Sequence, residues 1–201
     1  MLILASASPR RVELLRNAGI EVVVQPAEIP ETALPGESPV DQARRLAREK
    51  ARAVWQQFAD NRKSATGNCL FVLAADTLVV VDEHVLGKPR DAADAARMLR
   101  LLSGRTHQVT TGVCLLGTEN RELGTFFEDL RSETTQVTMD TLTEEDISAY
   151  IAHGEPMDKA GAYAVQGIAS RWVSRLEGCY FNEVGLPVPL VYRMLREHGA
   201  V

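Results

Sequence analysis

Leu70-Phe71-Val72-Leu73-Ala74-Ala75 is an unbroken apolar run that ends on a carboxylate, Asp76. It is strand length and far short of the roughly 20 residues that cross a membrane as a helix. A run with no polar alternation predicts a strand buried on both faces, inside a sheet that carries helices on either side. Asp76 is then expected to end the strand, where open α/β sheets place their ligands. Leu2-Ile3-Leu4-Ala5 is a second such run. Strand-like and helix-period segments alternate from there on, which predicts an α/β fold.

The junctions carry recognisable signals. Ser8 has the side chain of an N-cap, Pro9 suits the first helical position and Gly19 suits the position past the end, so a helix is expected over residues 9–18. Residues 21–25 are Val-rich and predict a strand. Pro26, Pro30, Pro35, Gly36 and Pro39 then impose a long irregular loop that carries Glu28 and Glu31. Ser38-Pro39 repeats the cap device. Apolar residues at 40, 43, 47, 51, 54 and 58 predict a long amphipathic helix ending near Phe58. A polar loop is expected over 60–68, and a hairpin over 79–81 and 84–86 turning at Asp82-Glu83. Asp91 caps a helix running to Gly104, and strands follow near 108–116 and 133–139. Thr143 to Asp146 opens a helix that stops at Gly154. Gly161, Gly167, Gly178 and Gly185 break the tail into short pieces before a last helix over 187–198. Neither repeats nor a long linker divides the chain, so residues 1–201 are expected to form a single domain of two lobes.

Charge and cysteine usage narrow the function classes. The 201 residues hold 22 Lys and Arg against 27 Asp and Glu, a formal net charge of −5. That balance argues against a broad nucleic-acid-binding face, which needs clustered cations. Cys69, Cys114 and Cys179 form no Cys-x-x-Cys pair, so neither a disulfide framework nor a zinc knuckle is expected. With no signal-peptide pattern in the first residues and no apolar run of membrane length, a cytoplasmic protein is expected. There is no Walker phosphate loop, no dinucleotide Gly-x-Gly-x-x-Gly turn, no Gly-x-Ser-x-Gly elbow and no His-Glu-x-x-His zinc motif. His84, His107, His153 and His198 share no ligand spacing, and loop or helix-end positions account for them.

The chemistry is therefore sought elsewhere. Ser6-Ala7-Ser8-Pro9-Arg10-Arg11 sets two arginines at a helix N-terminus, where free N–H groups and the helix dipole already favour an anion. Guanidinium forks match phosphate. The alternative is a plain cap with solvated arginines. Asp76 reads equally as a base or a turn aspartate, and Lys50 as a ligand or part of a solvated helix face. Lys88 and Lys159 stand in tight segments, and Glu31 sits in the long proline-bounded loop. Hard oxygen donors of this kind point to magnesium, with manganese as the alternative, and not to zinc.

Taken together, Leu4 to Leu15, Arg45 to Ala51, Ala75-Asp76-Thr77, Gly87 to Asp91, Asp158 to Gly167 and Gly178 to Pro187 resemble the Maf family of nucleoside triphosphate pyrophosphatases, also known as septum-formation inhibitor-like proteins. The resemblance spans nearly the whole chain. It implies a long mixed β-sheet flanked by helices, a two-lobed fold like that of inosine triphosphatases with a central substrate cleft, and hydrolysis of a nucleoside triphosphate to the monophosphate and pyrophosphate. Asp76 matches the family's proton acceptor, and Ser8, Arg11, Glu31, Lys50 and Lys88 match its polar cleft positions. Asp76 and Glu31 are the expected metal ligands. Arg10, Thr77 and Gln166 fall where the dTTP/UTP subgroup is distinguished. Gln166 offers both acceptor and donors to thymine or uracil, whereas cytosine leaves that pairing incomplete. Two departures are Cys179, where Ser is common, and Glu183, where an apolar residue is usual. The resemblance further implies a homodimer, while the charge balance and the short apolar runs predict no stable nucleic-acid complex and no membrane partner. The competing reading is a non-catalytic nucleotide- or nucleic-acid-binding regulator of cell division, which the retained Asp76 disfavours because a carboxylate repels phosphate.

Overall fold

A computed structural model describes residues 1–60, 70–120 and 125–201. The loop expected over 60–68 falls, apart from its first residue, outside the described residues, as does Cys69. The elements in order are β1 (Leu2–Leu4), α1 (Pro9–Asn17), β2 (Val23–Val24), α2 (Pro39–Asp60), β3 (Phe71–Val81), β4 (His84–Leu86), α3 (Ala92–Leu102), β5 (Thr106–Asn120), β6 (Thr125–Met139), α4 (Glu144–His153), β7 (Val173–Glu177), α5 (Tyr180–Val184) and α6 (Val188–Glu197). Short 3₁₀ turns fill the glycine-broken segment between α4 and β7. The strands make one seven-stranded mixed sheet, ordered β2-β1-β3-β5-β6-β7 with β4 paired to β3. The expected α/β class with a mixed sheet and flanking helices is what the chain adopts. It resolves into two compact units, Met1–Asp76 with Thr111–Glu133 and Gly185–Val201, and Thr77–Thr110 with Thr134–Val184.

In the first unit, β1 pairs in parallel with β2 (Ile3 opposite Val23) and with β3 (Ile3 opposite Val72). Successive side chains leave a strand on opposite faces, so the apolar run serves two cores. Leu73 and Ala75 join Leu15 of α1 and Met194 of α6 on one face, while Val72 and Ala74 join Ala47, Ala51 and Val54 of α2 on the other. The same alternation assigns Asp76 to the α2 face. Helix α2 comes close to the sheet because Gly112 of β5 has no side chain: a Cβ there would collide with the backbone carbonyl of Ala43. In the second unit, α3 and α4 pack on β3, β5 and β6 through Leu99, Leu102, Ile147 and Tyr150, each fully buried aliphatic contributing about 1.5–3 kcal/mol.

Several local expectations hold. Asp91 accepts from the Asp94 N–H at 2.8 Å, Thr143 and Asp146 form a reciprocal capping box, and Gly154 ends α4 in the left-handed conformation. The hairpin turns where expected, with Asp82 and Glu83 both at positive φ.

Others are corrected. Ser8 occupies the N-cap position of α1 with extended backbone, yet its side chain makes no capping bond; its own N–H donates to Ser6 Oγ at 3.2 Å. The strand expected over 21–25 shrinks to two residues, both with exposed side chains on a sheet edge. Asp76 does not end β3, which continues to Val81, because β4 pairs with its far half. The strands expected near 108–116 and 133–139 are each 15 residues long. His107 is no loop residue: it is buried within β5, and His84 lies in β4. In the tail, β7 adds an edge strand antiparallel to β6.

Candidate active site

β1 ends early and β3 runs on, and that difference in length creates the site. The last backbone rung between them is the Ala5 N–H to the Leu73 carbonyl at 2.8 Å. The next carbonyl on the same strand edge belongs to Ala75, two residues on, and no strand is left to meet it. Arg11 does so instead: Nη1 donates to the Ala75 carbonyl at 2.7 Å and to Ser6 Oγ at 3.2 Å, while Nε donates to the Gly185 carbonyl at 2.8 Å. Arg11 is buried, and burial lowers its pKa against the opposing pull of Asp76.

One residue further along β3, the Asp76 carboxylate emerges on the α2 face and meets Lys50. Nζ stands 2.6 Å from Asp76 Oδ1 and 2.5 Å from Glu31 Oε1. The Lys50 and Asp76 side chains are 10% and 8% exposed, against 59% for Glu31. The cluster is therefore a buried ion pair with one arm in solvent. Glu31 is held there from a distance. Arg45 of α2 grips Glu37 through Nε at 2.7 Å and Nη2 at 2.8 Å, and the same Nη2 donates to the Thr32 carbonyl at 3.0 Å, so the proline-rich loop is fastened on both sides of the turn that follows Glu31.

The structure thus brings Asp76, Lys50, Glu31 and Arg11 together. Ser8 and Arg10 are half-buried at the start of α1. Thr77, Lys88 and Gln166 belong to the second unit; Thr77 follows Asp76 on the opposite face of β3, while Lys88 and Gln166 are exposed. The loop bearing Gln166 is firmly seated. Glu155 accepts from Tyr150 OH at 2.8 Å and from the Ile168 N–H at 3.1 Å, and its carboxylate lies so close beneath Gly167 that a Cβ there would overlap it. Lys159 is engaged locally, with Nζ donating to the Glu155 carbonyl at 2.8 Å and pairing with Asp158 at 2.5 Å.

Among the described residues no group of three or more His, Cys, Asp or Glu side chains stands close enough to hold a metal ion. Two carboxylates within reach of one lysine are instead the partial oxygen set with which Mg²⁺ is commonly held, substrate phosphates completing the coordination. The donor chemistry of Asp76 and Glu31 fits such an ion.

Comparison with known proteins places the chain in a family. A family model described as "Maf-like protein" matches residues 1–198. The chain belongs to the Maf-like protein family. Curated relatives include proteins named dTTP/UTP pyrophosphatase from Koribacter versatilis, 54% identical over 100% of this chain and 95% of that one, and from Syntrophomonas wolfei, 47% identical over 98% and 96%. A solved dITP/XTP pyrophosphatase from Mycobacterium abscessus is 18% identical over 69% of this chain and 72% of that one, at a TM-score of 0.35, a similarity too low for structural inference.

Within this Maf-like fold, three contributors were not apparent from sequence. Ser6 accepts from both the Ser8 N–H and Arg11, Arg45 fastens the Glu31 loop, and Glu155 seats the Gln166 loop. Arg45 lies in a motif the sequence singles out, but its partners lie in another element. Glu155 leaves a trace only as an acid near a run of glycines.

Proposed function

We propose that this Maf-like protein hydrolyses dTTP and UTP to the nucleoside monophosphate and pyrophosphate. The buried Asp76–Lys50 pair beside the end of β1 carries the reading, in a chain 54% identical over its full length to a protein named for that activity. Attack of water on the α-phosphorus needs a base, neutralisation of phosphate charge and a leaving group able to depart with its electron pair. Asp76 takes the proton of the attacking water as its oxygen bonds to the α-phosphorus. The bond from that phosphorus to the bridging oxygen breaks, and pyrophosphate leaves. Lys50 holds Asp76 in place and supplies positive charge beside it. Ser8 and Arg10, at the positive end of the α1 dipole, together with Lys88, receive the triphosphate, a group in which the resemblance also counts Arg11. Asp76 and Glu31 would hold a divalent cation, Mg²⁺ or Mn²⁺, which supplies Lewis-acid neutralisation of phosphate oxygens when bound.

Base recognition falls to Gln166, with Thr77 and Arg10. The Gln166 amide pairs with the N3–H and a carbonyl of thymine or uracil, and a base that leaves it unmatched once the substrate covers it costs about 1–3 kcal/mol. The proposal includes a cytoplasmic homodimer, supported by the family resemblance, and light scattering at twice the 22.1 kDa chain mass checks its assembly. The decisive assay incubates the protein with natural triphosphates and Mg²⁺ or Mn²⁺, with a chelator arm, and identifies the products. Monophosphate and pyrophosphate in equal amounts, from dTTP and UTP ahead of CTP and purines and only with the cation, are expected. Orthophosphate as the direct product overturns the reading.

A further inference from the structure

We infer that Arg11 is a positioning residue that sets Asp76 by replacing the missing strand rung next to it, and not a ligand of the triphosphate. The inference rests on Asp76 being the base. β1 supplies its last rung to Leu73, and β4 takes up pairing with β3 only at Val79, so Ala75 falls in a gap between the two. Ala75 is fully buried, and its carbonyl, left alone, would be a buried acceptor without a donor. Arg11 Nη1 fills the place of the absent strand N–H at 2.7 Å. That bond fixes the peptide that joins Ala75 to Asp76, and through it the base of the side chain that must face water.

Two further bonds of the guanidinium serve the same task. Its second Nη1 bond goes to Ser6 in the turn that ends β1, and Nε goes to the Gly185 carbonyl ahead of α6. One planar group therefore ties three chain segments around a single residue of β3. A rigid planar fork spreads its donors over separate nitrogens, whereas an ammonium offers all of its donors from one atom. A phosphate ligand needs its N–H groups turned outward, and here three of them point into the protein at backbone and Ser6 oxygens. Arg10, half-buried one residue earlier in the same helical turn, is the better placed of the two arginines to meet an anion.

A double-mutant cycle separates positioning from binding. Arg11→Lys keeps the charge and loses the fork. Displacement of a reacting group by about 1 Å costs on the order of 100-fold, so R11K is expected to lower kcat for dTTP by about that factor. The non-hydrolysable α,β-imido analogue should still bind at one site per chain, with Kd changed by less than about threefold. In the D76N background R11K should cost less than about threefold more, because the residue it positions is already disabled. A Kd raised tenfold or more, or an equal kcat loss in both backgrounds, would overturn the inference. If R11K does not melt cooperatively, Ser6→Ala takes its place in the cycle; its smaller kcat loss should likewise vanish in D76N, and persistence there overturns the inference. Near-normal turnover by D76N alone contradicts the base reading instead, and shows in that arm without reference to Arg11.

Discussion

Asp76 in the first unit and Tyr163 in the second are both buried and both sit in polar clusters, yet the clusters are built on opposite principles. Around Asp76 the groups are charged: Lys50 pairs with it and with Glu31, whose side chain is largely in solvent. Around Tyr163 burial keeps the His107 imidazole and the phenol neutral. Its hydroxyl lies 2.7 Å from His107 Nε2 and also bonds Glu183; burial raises the Tyr163 pKa and pushes His107 down to about 4. A charge pair that opens towards solvent can exchange protons and meet ions. The buried, uncharged imidazole and phenol cannot, and serve to fix the chain around them. The difference separates residues whose loss should stop turnover from those whose loss should soften the fold.

Replacing Asp76 with Asn tests the charged cluster and is expected to have the largest effect. Loss of a general base is typically worth ~10²–10⁴ in rate, so kcat should fall within that range while circular dichroism stays native. A neutral change elsewhere should not do this. Gly167→Ala forces a Cβ into the Glu155 carboxylate and unseats the Gln166 loop. The expected result is a loss of roughly ten- to hundredfold in kcat/KM for dTTP with little change for poor substrates, flattening the nucleotide profile. An unchanged profile would detach Gln166 from selectivity.

The buried His107–Tyr163 pair should show itself in stability. His107 takes up a proton near pH 6.5 when unfolded but stays neutral to about pH 4 when folded. Its neutral state therefore contributes stability in full above about pH 6.5, and that contribution is lost as pH falls towards 4, by up to about 3 kcal/mol. Chemical denaturation at a series of pH values should show this slope, and His107→Asn should reduce it. Tyr163→Phe deletes the hydroxyl that meets both His107 and Glu183. It should cost about 1–3 kcal/mol and leave kcat within about threefold. A large kcat loss in this variant would erase the contrast between the clusters.

What could be read from sequence follows the range of each interaction. Caps were visible because they close within one turn, as Asp91 with Asp94 and Thr143 with Asp146 do. The two-faced apolar run was visible because alternation is local. Asp76, Lys50 and Glu31 stood out as residue types, but nothing in their spacing says that one ammonium touches both carboxylates. The end of β3 was misplaced because a strand continues wherever neighbours provide rungs, and β4 supplies them beyond Asp76. The bonds of Arg11 to Ala75 and Gly185 span 64 and 174 positions, a separation no spacing rule reaches. Glu183 departs from the resemblance in sequence alone, but its contact with Tyr163 depends on the fold.

The central claim is that water, activated by Asp76, attacks the α-phosphorus. Hydrolysis of dTTP in ¹⁸O-enriched water, with mass spectrometry of both products, tests it most directly. The account predicts one ¹⁸O in the nucleoside monophosphate and none in pyrophosphate. Label in pyrophosphate, or in orthophosphate released directly, would place the attack at another phosphorus and contradict it.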